Sequence, residues 1–179
     1  MSHARHPARR RALGTLACAV VAATGLADFS ASSQADVIEC AGIQSDTYSP
    51  GLTLTAARTT VTSDYLLGPC IAPSDPDVRA GSARESYTRD FSCVFPLTPL
   101  PQRSYTITWN TGRTSVYTFQ QGITAVLGRS VSTYNGQITS GAFRGTTVAG
   151  TSVMISNPLN CTTASGVTIA NGTTTFTGV

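Results

Sequence analysis

Few side chains in this chain can move a proton near neutrality. Its two histidines, His3 and His6, lie at the extreme amino end, and lysine is absent throughout. That rules out a Ser-His-Asp or Cys-His arrangement in the body of the chain, and with them a Ser-Lys dyad, a Schiff base and a phosphate-binding loop. Neither Gly-x-Ser-x-Gly nor Gly-x-Gly-x-x-Gly occurs, so the hydrolase elbow and the dinucleotide turn are missing as well. Acid–base work would fall to carboxyls, of which residues 36–179 carry Asp36, Glu39, Asp46, Asp64, Asp75, Asp77, Glu85 and Asp90. A glycosidase needs two of them about 5 to 9 Å apart. No spacing pairs any two, so they read as solvated loop groups and the chain as a non-enzyme without a cofactor.

The nearest approach to a metal site is Ser74-Asp75-Pro76-Asp77, with Glu85 eight residues later. Calcium takes such oxygens, but Arg79 stands where a ligand is needed and Gly81 comes one residue late for the calcium-loop pattern. The stretch therefore reads as a polar turn without metal. Dense in Pro, Asp, Ser and Arg, it is the least strand-like part of the chain, and surface loops of this kind carry contacts. Asp75, Asp77, Arg79, Arg84 and Glu85 are the candidate contact residues.

The elements that position such a loop begin after a leader. Arg9-Arg10-Arg11 followed by an apolar run over residues 12–27 has the pattern of a secretory signal peptide, removed after Ala35 or Ala27. Residues 36–179 then form a single exported domain. The leader accounts for the whole net charge of +3, because the eight arginines beyond it are matched by eight carboxylates. A neutral surface neither releases counterions from phosphates nor steers anionic partners, which excludes nucleic acid. No later segment is apolar enough to span a membrane. Four cysteines remain, Cys40, Cys70, Cys93 and Cys161, an even number that predicts two disulfides in an exported domain. Three pairings are open; Cys70 with Cys93 and Cys40 with Cys161 are favoured, the first bracketing the turn-rich loop.

Thr, Ser and Gly dominate, and no dozen-residue window shows helical apolar spacing. Short β-branched or aromatic runs restart every eight to twelve residues instead, over 37–41, 52–56, 59–66, 86–95, 104–110, 115–119, 123–134, 137–143, 146–149, 152–156 and 173–177. This rhythm predicts an all-β fold: an antiparallel β-sandwich, immunoglobulin-like in the broad sense, or a related barrel. Ser49-Pro50-Gly51 reads as a type II turn, and Asn110-Thr111-Gly112 and Asn135-Gly136 as hairpin connections. Trp109, the single tryptophan, shares one strand face with Tyr105 and Ile107 while Thr106 and Thr108 take the other. That register predicts a core filler rather than a stacking platform.

Tyr48-Ser49-Pro50-Gly51-Leu52-Thr53, the segment from Ile107 through Trp109-Asn110-Thr111-Gly112 to Ser115, and the segment from Gly136 through Ser140-Gly141-Ala142-Phe143 to Gly145 together resemble a group of secreted, Streptomyces-like actinobacterial proteins of unassigned function. The resemblance implies an exported all-β domain and transfers no catalytic residue. The expected function is an extracellular binding or structural module that meets a protein or cell-wall component. The alternative is a serine-protease inhibitor presenting Arg79 or Arg84 from the loop over residues 75–84.

Overall fold

The computed structural model describes residues 36–179, so the expected signal peptide over residues 1–35 lies outside the described residues. Nine strands occupy most of them: β1 (Ile38–Leu52), β2 (Ala57–Ile71), β3 (Gly81–Phe91), β4 (Phe95–Pro99), β5 (Arg103–Trp109), β6 (Thr114–Val126), β7 (Arg129–Gly141), β8 (Thr147–Ile155) and β9 (Val167–Gly178). A short 3-10 turn, Pro158–Thr162, precedes β9. Every pairing is antiparallel, and each barrel strand pairs with the next along the chain. β9 returns to pair with β1, which closes the sheet into an up-and-down barrel. The expected all-β class and two disulfides are present, and of the two architectures it is the barrel, not the sandwich.

Eight positions make the wall, because β4 and β5 share one. β5 pairs with β6 over Thr114 to Phe119, and β4 takes the same edge of β6 from Gly122 to Ala125. Pro99 and Pro101 mark the break between them, as proline removes the donor that a continuous ladder requires.

Alternation along each strand places one set of side chains inside. Outward positions are largely Thr and Ser, including Thr60 and Thr62 on β2, Thr88 on β3, Thr106 and Thr108 on β5, and Thr175 and Thr177 on β9. A membrane barrel needs an apolar outer band, the reverse of this pattern.

One end of the barrel is plugged. Trp109 is 2% exposed, meets the rings of Phe143 and Phe176 edge-on at 5.6 and 6.4 Å, and donates its indole N–H to Ser115 Oγ at 2.8 Å. Ser115 Oγ in turn donates to the Ala142 carbonyl at 2.6 Å. The predicted core role of Trp109 holds, and even Gly81 obeys it, since a Cβ there would stand 2.7 Å from the indole. Above the plug, Tyr105, Tyr117, Phe119 and Tyr134 continue a packed aromatic layer. At the opposite end a second cluster gathers Leu52, Val61, Phe91, Leu100 and Val167.

Several local expectations are corrected. Asn135-Gly136 lies inside β7, not in a hairpin; Gly136 is there because a Cβ would run into the Thr118 carbonyl and Phe119 of β6. The β6–β7 connection is Leu127-Gly128, closed by the Val126 and Arg129 pair, with Gly128 at φ +77°, within the predicted strand over 123–134. Ser49-Pro50-Gly51 falls within β1, where the register against β9 shifts between Thr47 and Leu52. Asn110-Thr111-Gly112 does turn β5 into β6, with Trp109 N–H donating to Arg113 O at 2.9 Å.

Candidate functional site

The strands bring a polar side chain from every wall position to one level of the interior. Gln44 and Asp46 come from β1, Ser63 from β2, Glu85 from β3, Arg103 from β5, Gln121 from β6, Ser132 from β7, Ser152 from β8 and Thr174 from β9. Register explains the level: Asp46 faces Ser63 and Ser63 faces Glu85 across successive ladders, while Ser132 faces Ser152 and Ser152 faces Thr174. The belt separates the aromatic layer from the cluster around Leu52 and Phe91.

Hydrogen bonds run around the belt. Arg103 Nη2 reaches Glu85 Oε1 at 3.5 Å and also donates to Gln121 Oε1. Tyr65 OH donates to the same Glu85 oxygen at 2.9 Å. Gln121 Nε2 donates to Ser132 Oγ at 2.9 Å and to Tyr134 OH at 3.3 Å, and Tyr134 OH donates to Gln44 Oε1 at 3.4 Å. Gln44 Nε2 donates to Asp46 Oδ1 at 2.8 Å, and Tyr48 OH to Asp46 Oδ2 at 3.4 Å. Ser152 and Thr174 hydroxyls meet at 2.8 Å. The guanidinium carbon of Arg103 sits 3.6 Å above the Tyr87 ring, a cation–π contact. Its Nε and Nη1 are buried without a partner.

Burial dominates the electrostatics. It pushes the Asp46 carboxyl up, against the lowering effect of the Gln44, Ser63 and Tyr48 hydrogen bonds and of the Arg103 charge. Glu85 also moves up, desolvation exceeding the pull of Arg103 and Tyr65. Burial is the largest single effect on Arg103 and works against its charge, but the Glu85 carboxylate together with Tyr87 and Tyr65 outweighs it and raises the guanidinium above its ordinary value. The Tyr48, Tyr65 and Tyr105 phenols are driven well above their ordinary range by burial.

Above the belt, at the end opposite Trp109, the barrel opens into a cavity. Asp46, Tyr48 and Tyr87 are part of its polar lining, with Ser92, Arg129, Ser130 and Ser156, and Leu52, Val61 and Phe91 are among its apolar walls. It encloses about 530 Å³ of atom-free space, part of it open to solvent, and about 40 Å³ that the centre of a water molecule can reach. At roughly 10–15 Å³ for one water, that is room for about three. The Cys93–Cys161 disulfide joins the segment after β3 to the 3-10 turn and lines the same cavity. Around the mouth stand the exposed apolar side chains Leu54, Val94, Val126, Leu127, Ile155 and Leu159.

The favoured disulfide pairing is corrected: the bonds are Cys40–Cys70 and Cys93–Cys161. β1 and β2 are longer than the sequence pattern suggests, and Cys40 and Cys70 are directly opposed in their ladder. Of the contact residues, Asp75, Asp77 and Arg79 lie between β2 and β3, at the plugged end. Asn110 pins that loop, its Oδ1 accepting from Arg79 and Ala80 N–H at 2.9 and 3.1 Å and its Nδ2 donating to Asp77 O at 2.9 Å. Arg113 pairs with Asp75. Arg84 is on the outer wall, 3.6 Å from Asp64, whereas Glu85 is inside the barrel and so not in the loop. Asp46 and Glu85 are therefore not solvated loop carboxyls. Asp46, Tyr48, Tyr87 and Arg103 carried no sequence signal as a site, since Gln44, Asp46 and Tyr48 alternate with Ser45 and Thr47, polar on both faces.

Neither arginine offers a protease a free backbone. The Arg79 carbonyl accepts from Cys70 N–H at 2.8 Å, and Arg84 is paired with Asp64 in the β2–β3 ladder. Among the described residues no group of three or more His, Cys, Asp or Glu is placed to hold a metal ion, and no helix is long and apolar enough to cross a membrane. No protein-family model matches the chain, and no curated protein or solved structure is significantly similar to it.

Proposed function

We propose that this chain is an exported binding module whose barrel mouth takes a small, partly apolar ligand, and that it acts by binding rather than turnover. The observation that carries the reading is the asymmetry of the interior: one end is filled by Trp109, Phe143 and Phe176, while the other keeps a cavity floored by Asp46, Tyr48 and Tyr87. Barrel mouths are a recurrent place for ligand sites, and a mostly apolar wall with a few convergent polar groups is their usual composition. Eight strands leave an interior that can be filled by side chains or hold one small ligand; here each end does one of these. The apolar rim offers such a ligand a surface of first contact. Two disulfides and a threonine-clad exterior suit life outside the cell.

The backbone hydrogen bonds of Arg79 and Arg84 favour this reading over protease inhibition. The test is a small-molecule screen by amide chemical-shift mapping. Shifts gathered at Asp46, Tyr48, Tyr87, Ala125 and Ser130 are the expected result. Shifts confined to the loop over residues 75–84, or to the outer wall, would refute the mouth as the site.

A further inference from the structure

Resting on that reading of the mouth, we propose that its ligand is an organic cation: an amine on a small apolar body, with the ammonium docked on Asp46 beside Tyr48 and Tyr87. The inference comes from the charges of the interior. Among the described residues, the charged side chains shielded inside the barrel are Asp46, Glu85 and Arg103, two acids against one base. Arg103 is committed to Glu85, to Gln121 and to the Tyr87 ring. Asp46 is held by neutral donors, Gln44, Tyr48 and Ser63. An ionised Asp46 is therefore a net negative charge in a poorly hydrated space, and such a charge is kept only with a proton or a counter-cation.

Of the three groups, Asp46 is the one that lines the cavity; Glu85 and Arg103 do not. A ligand in the mouth thus meets the uncompensated acid at the floor, while Arg129, the one guanidinium residue of the lining, stands exposed at the rim. Aromatic rings beside it favour a cation over a neutral hydroxyl, and the Leu52, Val61 and Phe91 wall receives the apolar body. An anionic head at the floor would face a carboxyl, since Arg103, although its Nε and Nη1 lack partners, does not line the cavity and Arg129 stands at the rim.

The groups around Asp46 set the pH dependence. Tyr48 on β1, Tyr65 on β2, Glu85 and Tyr87 on β3, Arg103 on β5 and Tyr134 on β7 all act on it or face it, and Ala170 opposite it on β9 does not titrate. Arg129 at the rim is exposed and screened by salt. Burial raises the Asp46 titration above the ordinary carboxyl value, so at pH values below that raised titration amine binding releases the proton the free carboxyl holds. Affinity for the amine falls as pH drops through the Asp46 titration, while affinity for a neutral isostere does not change.

The test uses isosteric sets on the disulfide-linked protein: benzylamine, benzyl alcohol and benzoate, with butylamine, butanol and butyrate as the smaller set. Calorimetry should show the amine of a set binding at least tenfold more tightly than its alcohol or acid, with proton release scaling with buffer ionisation enthalpy. Asp46→Asn, checked for folding by its thermal transition, should erase the preference. The proton count is read on the unsubstituted protein, so the result stands even if that variant does not fold. Equal or tighter binding of the alcohol or acid, or a preference that survives Asp46→Asn, overturns the cation inference and leaves the mouth as a ligand site. Failure of every probe to bind overturns both.

Discussion

Arg103 Nη2 lies 3.5 Å from Glu85 Oε1, an ion pair whose side chains are 14% and 7% exposed. The other two ion pairs of the described residues, Arg84 with Asp64 and Arg113 with Asp75, are on the surface. Removing one partner of a buried pair strands the other charge, at a cost of about 3–5 kcal/mol, whereas replacing both with neutral groups of similar shape costs far less. Arg103→Met should therefore lower the unfolding free energy by about that amount. The double variant Arg103→Met/Glu85→Gln should recover much of the loss. Urea unfolding midpoints of the two single variants and the double variant check it, and a double variant no better than Arg103→Met would contradict the pairing.

Burial also predicts an inverted acid response. Asp46 and Glu85 hold protons above their ordinary values of 3.8 and 4.5, so between those values and the raised ones the folded state binds more protons than the unfolded chain. Stability from these two groups is complete below their ordinary values and is lost as pH rises through the raised ones. Salt-bridged surface carboxyls give the opposite slope. Urea midpoints measured from pH 3 to pH 7 should thus decline across this window, and Asp46→Asn should flatten the decline. The phenols add a second loss above about pH 10, where unfolded tyrosines ionise first. A stability that climbs steadily from pH 3 to pH 7, unchanged by Asp46→Asn, would count against buried Asp46.

The same belt explains what the amino-acid order could and could not reveal. Where the interior is apolar, alternation is plain: Tyr105, Ile107 and Trp109 against Thr106 and Thr108 mark β5 and its buried face. At belt level the inward residues are as polar as the outward ones, so the period-two signal fades and β1 reads as loop and turn. Glycines mislead for a related reason. Gly136, which reads as a hairpin residue, is required by close strand approach, a Cβ there running into the Thr118 carbonyl, and not by a turn. The cysteine pairing followed from those errors, because Cys40 and Cys70 become neighbours only once β1 and β2 are seen as full-length partners.

Trp109 should matter for stability and not for the mouth. Trp109→Ala removes the plug of the closed end, and truncating a large buried aromatic costs about 3–5 kcal/mol. Trp109→Phe keeps ring contact with Phe143 and Phe176 and leaves Ser115 bound to Ala142, so its cost should be clearly smaller. Ligand affinity in Trp109→Phe should equal that of the unsubstituted protein, since the cavity lies beyond the belt. Parallel unfolding curves and ligand titrations check both parts; a marked loss of affinity in Trp109→Phe would mean that the two ends are coupled.

The two disulfides should separate stability from binding. Cys93–Cys161 spans 68 residues and Cys40–Cys70 spans 30, which in the chain-entropy account gives upper figures of about 4.4 and about 3.6 kcal/mol. Cys40–Cys70 joins residues already opposed in the β1–β2 ladder beside the aromatic layer. Its replacement by a serine pair should lower the unfolding midpoint and leave mouth affinity intact. Cys93–Cys161 instead ties the segment after β3 to the 3-10 turn and forms part of the cavity wall. Its replacement should lower both stability and affinity, because the bound ligand must then order two freed segments. Unfolding and ligand titration of the two serine-pair variants, side by side, decide the matter. Equal affinity in both would place the ligand away from the Cys93–Cys161 wall.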